Sequence, residues 1–224
     1  VIANGAECEP LVYSDRTLMC AEPHAVVRGL RLAMRATGAT RGLLAVKREA
    51  EQACRALTAA LGDDATIDLA PLESYYPTGD EFVLVQTLTG RNVPEGGLPR
   101  DVGVLVHNVA TLAQLAAAMD GAPVTERLVT VVGEVARPGI VRVPLGTRAR
   151  EVIAWAGGLT QPEGALALVA GGAMMGRLVD WDAPSIKTCG ALMVLPRHGP
   201  VVEMLSRTPS ANLRRGRSTC DQCR

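Results

Sequence analysis

The sequence predicts an α/β protein in which a parallel-sheet domain is followed by a smaller domain rich in β-strands. Over residues 1–69, short buried strands alternate with amphipathic helices, the order expected of a parallel sheet with covering helices. From Glu126 to Val143 the pattern changes to alternating, β-branched residues, which is typical of a hairpin. The 224 residues, 48% of them apolar, suffice for one sizeable core or two modest domains.

The first domain is predicted over residues 1–122. Its first strand begins at Val1 and ends in a polar turn at Asn4 and Gly5. The breakers between Gly90 and Gly103 predict a loop. The remaining elements are predicted as helices over 21–36, 49–61, 82–88 and 112–119 and as strands over 43–47, 66–69 and 102–106.

The second domain is predicted over residues 123–200. After the hairpin, a helix is predicted over 148–156 and two strands over 166–169 and 191–195, separated by a Gly-rich loop. Strands around one helix in this order suggest a β-grasp domain. Residues 201–224 form an Arg- and Ser-rich tail that ends in a Cys-x-x-Cys pair, Cys220 and Cys223.

Charge and hydropathy exclude several classes of function. Twenty-three basic and 23 acidic residues give no net charge, which argues against a nucleic-acid-binding protein. The sequence has neither an apolar run of about twenty residues nor a signal-peptide pattern, so we expect a cytoplasmic protein without a membrane span. Four of the six cysteines are scattered, which argues against a disulfide framework. Because both ends interrupt a pattern, we expect a fragment of a longer protein.

Polar residues gather in three segments that follow strands or begin helices. The first strand runs into Asn4-Gly-Ala-Glu-Cys-Glu-Pro10, and Tyr76-Pro-Thr-Gly-Asp-Glu81 stands where a helix begins. Asn108 and Thr111 follow the strand over 102–106. Because ligands of open α/β sheets bind outside the carboxyl ends of the strands, all three segments are candidates for ligand binding.

Each segment also has a structural interpretation. The first fits an ordinary strand-to-loop turn, Asp80 fits simple N-capping, and Thr111 fits either an N-cap or a ligand contact. Gly79 would allow a ligand to approach the backbone closely. The amide of Asn108 can donate and accept, as recognition of a polar ring or a phosphate requires. We expect the neighbouring His107 to be structural rather than catalytic.

Together the segments resemble the flavin site shared by the FMN-binding subunit of NADH:quinone oxidoreductase (complex I), the C subunit of the Rnf complex and the microcompartment cobalamin reductase of propanediol utilisation. The resemblance covers residues 4–10 with Asp15 and Arg16, the Tyr-x-x-Gly-acid-Glu pattern of residues 76–81, and the Asn-Val-x-Thr-Leu pattern of residues 108–112. Ala6 replaces an acid of the complex I pattern, as in the Rnf and cobalamin-reductase branch. The Gly-rich loop that the family places upstream of the first strand is absent from this sequence.

The resemblance implies an NADH-dependent FMN and iron–sulfur electron-transfer oxidoreductase. Hydride would pass from NADH to FMN, and single electrons would then pass to [4Fe–4S] clusters and an acceptor such as cob(II)alamin or a membrane redox module. The implied partners are NADH and other redox subunits, a corrinoid enzyme or a ferredoxin. No catalytic side chain is implied, because the flavin carries the chemistry. The protein would lie in a bacterial microcompartment or on the cytoplasmic side of a membrane complex.

The resemblance also implies site residues. Those for cofactor binding are Asn4, Glu7, Glu9, Tyr76, Gly79, Asp80, Glu81, Asn108 and Thr111, with Glu9 and Glu81 nearer the nicotinamide. Cys220 and Cys223 would begin the family's run of [4Fe–4S] ligands. Their spacing alone also fits a redox dithiol or half of a zinc site.

Two further expectations concern the β-grasp domain. The Gly-rich loop over 170–176 lacks the spacing of a dinucleotide or P-loop motif, so we expect its two methionines to pack rather than the loop to bind phosphate. The competing class of function is a non-catalytic module in which the β-grasp domain binds a small ligand or a partner protein.

Overall fold

The computed structural model describes residues 1–220, which divide into two compact units. The first unit comprises Val1–Cys8 and Val12–Leu128. The second comprises Glu9–Leu11 and the described chain from Val129 onward. Within the described residues, no helix combines the length and hydropathy that a membrane span requires.

A four-stranded parallel sheet forms the centre of the first unit. Its strands are β1 (Ile2–Asn4), β2 (Gly42–Lys47), β3 (Ile67–Leu72) and β4 (Val106–Asn108). They lie in the order β3-β2-β1-β4, and Asn4 is in register with Asn108 on one side and Ala45 on the other. Because parallel strands end at the same edge, β1 and β4 bring these two asparagines side by side.

Helices cover both faces of this sheet. They are α1 (Ser14–Ala21), α2 (Pro23–Thr37), α3 (Glu51–Leu61), α4 (Glu81–Thr89) and α5 (Val109–Met119). Successive residues of β1 point to opposite faces. Ala3 packs with the buried residues of α1, α2, α3 and α5, whereas Ile2 packs with Leu84 and Val85 of α4.

The second unit is built around a five-stranded mixed sheet. Its strands are β5 (Glu126–Gly133), β6 (Gly139–Pro144), β7 (Leu166–Ala170), β8 (Arg177–Val179) and β9 (Ala191–Pro196), in the order β6-β5-β9-β7-β8. Strand β9 is parallel to β5 and antiparallel to β7. Helix α6 (Ala149–Trp155) packs on the sheet through Val152 and Ile153. The parallel sheet and the small β-rich domain confirm the predicted fold class.

Several elements differ from the prediction. Helix α1 and strand β8 were not predicted, nor were α7 (Pro200–Leu205) and α8 (Pro209–Thr219) in the tail. Strand β4 begins only at Val106, because a 3-10 turn occupies Pro99–Val102. Helix α5 begins three residues earlier than predicted, because Asn108 is its N-cap.

Helices α2 and α5 approach each other closely at Gly29. A Cβ added to this glycine would lie 1.9 Å from the carbonyl oxygen of Leu112. No side chain is tolerated at that distance, so glycine is required for the two helices to pack against the sheet together.

Gly29→Ala is expected to lower the free energy of unfolding by about 1–3 kcal/mol, because the new methyl group overlaps the backbone of α5. Gly216→Ala is the matched control, since Gly216 is also helical and no described atom lies within 4 Å of its added Cβ. The control should be neutral or gain up to about 1 kcal/mol through helix propensity. Urea unfolding followed by circular dichroism measures both variants, and equal effects would contradict the close packing.

Candidate functional site

Asn4, at the carboxyl end of β1, ties two loops of the first unit together. Its Nδ2 donates to the Gly79 carbonyl at 2.8 Å, and its Oδ1 accepts from the Ala6 N–H at 3.1 Å. The Gly79 N–H donates to Sγ of Cys8 at 3.1 Å. A Cβ on Gly79 would lie 2.0 Å from the Ala6 carbonyl oxygen. The close approach that Gly79 permits is therefore made by the protein's own backbone.

Glu7 binds the N-terminus of α1 with its carboxylate. Oε1 accepts from the Ser14 hydroxyl at 3.0 Å and from the Asp15 N–H at 3.1 Å. Oε2 lies 3.5 Å from the backbone nitrogen of Arg16. A carboxylate at this position satisfies unpaired N–H groups and the positive end of the helix dipole. The N-cap residue itself, Tyr13, makes no side-chain capping bond, so Glu7 performs that role.

Asn108, at the carboxyl end of β4, connects α5 with α1. Its Oδ1 accepts from the Ala110 N–H at 2.8 Å, and its Nδ2 donates to Oδ2 of Asp15 at 2.5 Å. Thr111 lies exposed in the first turn of α5, and the cap is Asn108. Asp15 is only 9% exposed and was not among the predicted site residues. Its place in the Asp15-Arg16 motif was the one signal in the sequence that pointed to it.

Glu7 and Asp15 form a pair of neighbouring carboxylates, of which Asp15 is buried and Glu7 partly buried. Burial raises the pKa of Glu7, and the negative charge of Asp15 adds to the increase. Burial also raises the pKa of Asp15, while the hydrogen bond from Asn108 and the positive charge of Arg127 oppose the increase. The pair therefore holds protons to a higher pH than exposed carboxylates do.

Arg127, whose charge acts on Asp15, has a buried Nε without a hydrogen-bond partner in the part of the chain that the structure describes. A buried N–H donor that lacks an acceptor costs stability. This donor is therefore a candidate contact for an acceptor atom of a bound molecule. Sequence patterns gave no indication of it, because Arg127 stands in the β-branched run of the hairpin.

Four exposed aromatic residues lie close in sequence to the polar segments of the candidate site. Tyr13 precedes α1, Tyr75 and Tyr76 precede Gly79, and Phe82 lies in the first turn of α4. Their exposed fractions are 45%, 50%, 64% and 43% in that order. They include every tyrosine and the single phenylalanine of the chain, so its Tyr and Phe rings are on the surface and offer flat apolar area to a ligand.

Asp80 is the N-cap of α4. Its Oδ1 accepts from the N–H groups of Phe82 and Val83 at 3.0 and 3.2 Å. N-capping is therefore the structural role that the sequence suggested for Asp80. Its Oδ2 takes no part in these two bonds. Glu81 is the first helical residue and is partly exposed.

Glu9 belongs to the second unit, where its carboxylate binds the Gly-rich loop. Its two oxygens accept from the backbone N–H groups of Met174 at 3.0 Å and Met175 at 2.6 Å. A Cβ on Gly172 would lie 2.5 Å from the Glu9 carboxyl carbon. The Gly-rich loop, which was considered as a phosphate-binding loop, thus binds a carboxylate of the same chain. The nicotinamide role of Glu9 stays a prediction.

The cysteine pair is only partly described. Cys220 is exposed at the end of α8, and Cys223 lies outside the described residues. Within residues 1–220, no group of three or more His, Cys, Asp or Glu side chains is arranged to hold a metal ion.

Comparison with known families identifies both units. Residues 1–117 match the Nuo51 FMN-binding domain, and residues 128–178 match the SLBB domain. The chain therefore belongs to the Nuo51 FMN-binding domain family, with an SLBB domain after the flavin domain. This confirms the resemblance inferred from the three polar segments.

Relatives place the chain more closely within the family. It is 41% identical over its whole length to the cobalamin reductase PduS of Salmonella typhimurium, of which it spans 49%. Over 88% of its length it is 37% identical to the C subunit of the Na(+)-translocating ferredoxin:NAD(+) oxidoreductase complex of Acetobacterium woodii, of which it spans 45%. The chain thus spans about half the length of the curated relatives that it matches.

A solved structure supports the same placement. The chain is similar to an NAD+-reducing [NiFe]-hydrogenase in the air-oxidized state, with a TM-score of 0.72 and 26% identity. The similarity covers 86% of this chain and 39% of that chain.

Glu7→Gln is expected to change stability in a pH-dependent way. Because folding raises the pKa of Glu7 above its ordinary value of 4.5, the carboxyl group contributes fully to stability below that pH. The contribution is lost as the pH rises through the pKa of the folded state. The free energy of unfolding of the wild type, minus that of the variant, should therefore fall with rising pH.

Urea unfolding between about pH 4 and pH 8 measures this difference. Glu51→Gln, at an exposed position in the first turn of α3, is the matched control for the loss of one negative charge. A difference for Glu7→Gln that does not depend on pH would contradict the assigned environment of the carboxylate.

Proposed function

We propose that this chain is the FMN- and NADH-binding part of an electron-transfer oxidoreductase. The observation that carries the proposal is the match of residues 1–117 to the Nuo51 FMN-binding domain, whose polar motifs lie at the carboxyl edge of the parallel sheet. The relatives named as a cobalamin reductase and as the C subunit of a ferredoxin:NAD(+) oxidoreductase complex support a redox function.

The residues at this edge fit a flavin. The amides of Asn4 and Asn108 are polar groups at the ends of adjacent strands, and the unpaired Nε of Arg127 lacks an acceptor within the described residues. The exposed ring of Tyr76 offers a flat surface of the kind on which an isoalloxazine stacks. The chemistry that FMN supplies is acceptance of a hydride from NADH and release of single electrons.

The two asparagines would hold the flavin edge in a fixed orientation. Each amide is already anchored at both ends, Asn4 by Gly79 and Ala6, and Asn108 by Asp15 and Ala110. Such anchoring removes rotamer freedom before the ligand arrives, which lowers the entropic cost of binding. The remaining lone pairs and the neighbouring backbone would make the contacts.

The loop before α4 would complete the pocket. Gly79, whose C=O and N–H are bonded to Asn4 and Cys8, would line the pocket in a fixed position, with Asp80 as the N-cap of α4 and Thr111 in the first turn of α5. Glu81, at the first position of α4, would lie nearer the nicotinamide. Its carboxylate would orient NADH by accepting hydrogen bonds from the amide or ribose groups.

Glu7 and Asp15 would set the electrostatics of the pocket. A negative charge beside a flavin opposes its reduction, because reduction adds negative charge. Burial raises the pKa of both groups, so they carry less charge at a given pH than exposed carboxylates would. The pair thus limits the negative charge at this edge and holds protons at its carboxylate oxygens.

Cys220 and Cys223 are proposed as the first two ligands of a [4Fe–4S] cluster. Cysteine thiolates hold such clusters, and four are needed. Cys220 is exposed at the end of α8, where a cluster ligand is accessible. Electrons would then leave for an acceptor outside the chain: a corrinoid enzyme, a ferredoxin or a peripheral contact with a membrane redox module.

Asn108→Ala is expected to weaken FMN binding about 5- to 150-fold, the effect of losing one buried hydrogen bond of roughly 1–3 kcal/mol. Isothermal titration calorimetry with FMN measures the affinity. His107→Ala, one residue earlier in β4, is the matched control and should bind nearly as the wild type does. Circular dichroism checks that α5 survives the loss of its cap. Unchanged FMN affinity in a folded Asn108→Ala protein would remove Asn108 from the site.

Cys220→Ser, made in a protein that carries all four proposed cluster ligands, is expected to remove one cluster, or about four irons. Transfer from NADH to one-electron acceptors should stop, while reduction of FMN by NADH continues. Iron analysis and stopped-flow absorbance measure the two effects. Cys20→Ser, a cysteine of α1, is the control. Zinc without iron at this site, or a reversible disulfide between Cys220 and Cys223, would overturn the cluster assignment.

A further inference from the structure

The second unit contains a cavity of about 400 Å³ that has no part in the proposed electron transfer. This volume lies at the small end of the range typical of ligand pockets. Its walls combine apolar and polar side chains, chiefly Val179, Ile186, Leu192, Arg177, Ser185 and Thr188. The cavity is bounded by β7, β8 and β9 and by the segment between β8 and β9.

Ser185 and Thr188 bring two hydroxyl groups to the lining. Ser185 is 6% exposed, and its backbone is fixed by hydrogen bonds with Thr147 at 2.8 Å and Gly146 at 2.9 Å. Within residues 1–220, neither its hydroxyl nor that of Thr188 has a protein hydrogen-bond partner. A nearly buried hydroxyl in a cavity wall is a group that a ligand can satisfy.

Arg177 gives the cavity its charge. It is the only charged residue in the lining, and in the described chain its guanidinium forms no ion pair. Arg150 of the same unit, by contrast, is paired with Asp182 at 2.7 Å. An unpaired guanidinium beside apolar walls attracts one anionic group, since its fork of N–H donors matches a carboxylate.

The Gly-rich wall of the cavity is preformed. Gly171 and Met175 line the cavity, and the Gly171 N–H donates to the Ala191 carbonyl at 2.9 Å. The Glu9 carboxylate holds the N–H groups of Met174 and Met175. The loop therefore keeps its conformation without a ligand, which reduces the entropic cost of binding.

We propose that this cavity binds a small organic monoanion with a short apolar body. Its carboxylate is held by Arg177, Ser185 and Thr188, and its hydrocarbon part packs on Val179, Ile186 and Leu192. The single positive charge favours a monoanion, and the volume of about 400 Å³ accommodates its short apolar body. The proposal concerns the second unit alone and is independent of FMN binding by the first.

Hexanoate, hexylammonium and 1-hexanol are probes of matched length that differ in charge. Calorimetric or NMR titration at constant ionic strength should give millimolar affinity for hexanoate and at least tenfold weaker binding of the other two. Arg177→Gln should weaken hexanoate binding at least tenfold, and Arg177→Lys should restore part of it. Ser185→Ala should weaken it about fivefold, as expected for one lost hydrogen bond.

Arg214→Gln, an exposed position in α8 outside the cavity lining, is the control for the loss of one positive charge and should leave hexanoate binding unchanged. Arg177 is itself exposed, so its variants are expected to fold, and circular dichroism verifies this. No hexanoate binding, equal binding of hexanoate and hexylammonium, or unchanged affinity in Arg177→Gln would each overturn the proposal. Because FMN affinity is measured separately, these outcomes leave the proposed flavin function untouched.

Discussion

The hydrogen bond between the Asn108 amide and the buried Asp15 carboxylate is the interaction on which the carboxyl edge of the parallel sheet depends. It joins the end of β4 to the first turn of α1. Asp15 in turn donates its N–H to Glu7, which follows β1. The buried Asp15 and the partly buried Glu7 and Asn108 thus connect strands β1 and β4, helices α1 and α5 and the loop between β1 and α1.

This arrangement has an electrostatic cost that the site tolerates. Burial raises the pKa of both carboxyl groups, and the charge of Asp15 raises that of Glu7 further, so both groups favour protonation. Capping of α1 and the bond to Asn108 offset part of that cost. An edge organised in this way is sensitive to charge, which suits the flavin site proposed above.

Most of the fold could be predicted because the strands of the first unit are short and buried and its helices are amphipathic. Helix α1 escaped prediction because its cap, Glu7, stands seven residues before Ser14, farther than any local capping pattern reaches. Strand β3 continues through Pro71, which is possible because β3 lies at the edge of the sheet. The tail helices α7 and α8 carry too few buried residues to show helical periodicity.

The candidate site was predictable in its residue types and less so in its contacts. Asn4 and Asn108 could be selected because an amide at a strand end is an evident ligand group. The parallel register that pairs them required the structure. The motif pointed to Asp15, but its role could not be predicted, because that role arises from a contact 93 positions along the chain. Arg127 could not be selected, because no local pattern encodes the burial of its Nε. Glu9 is the opposite case. Its motif predicted a ligand contact, but its carboxylate binds the Gly-rich loop.

The position of Glu9 has a consequence for how the two domains can be separated. Residues Glu9–Leu11 belong to the second unit, although the chain on both sides of them belongs to the first. A fragment that begins at Val129 would lack the carboxylate that occupies the Gly-rich loop, and the N–H groups of Met174 and Met175 would face water. Exchange of the β-grasp domain between relatives must therefore carry this three-residue segment with it, even though it lies more than a hundred positions away in the sequence.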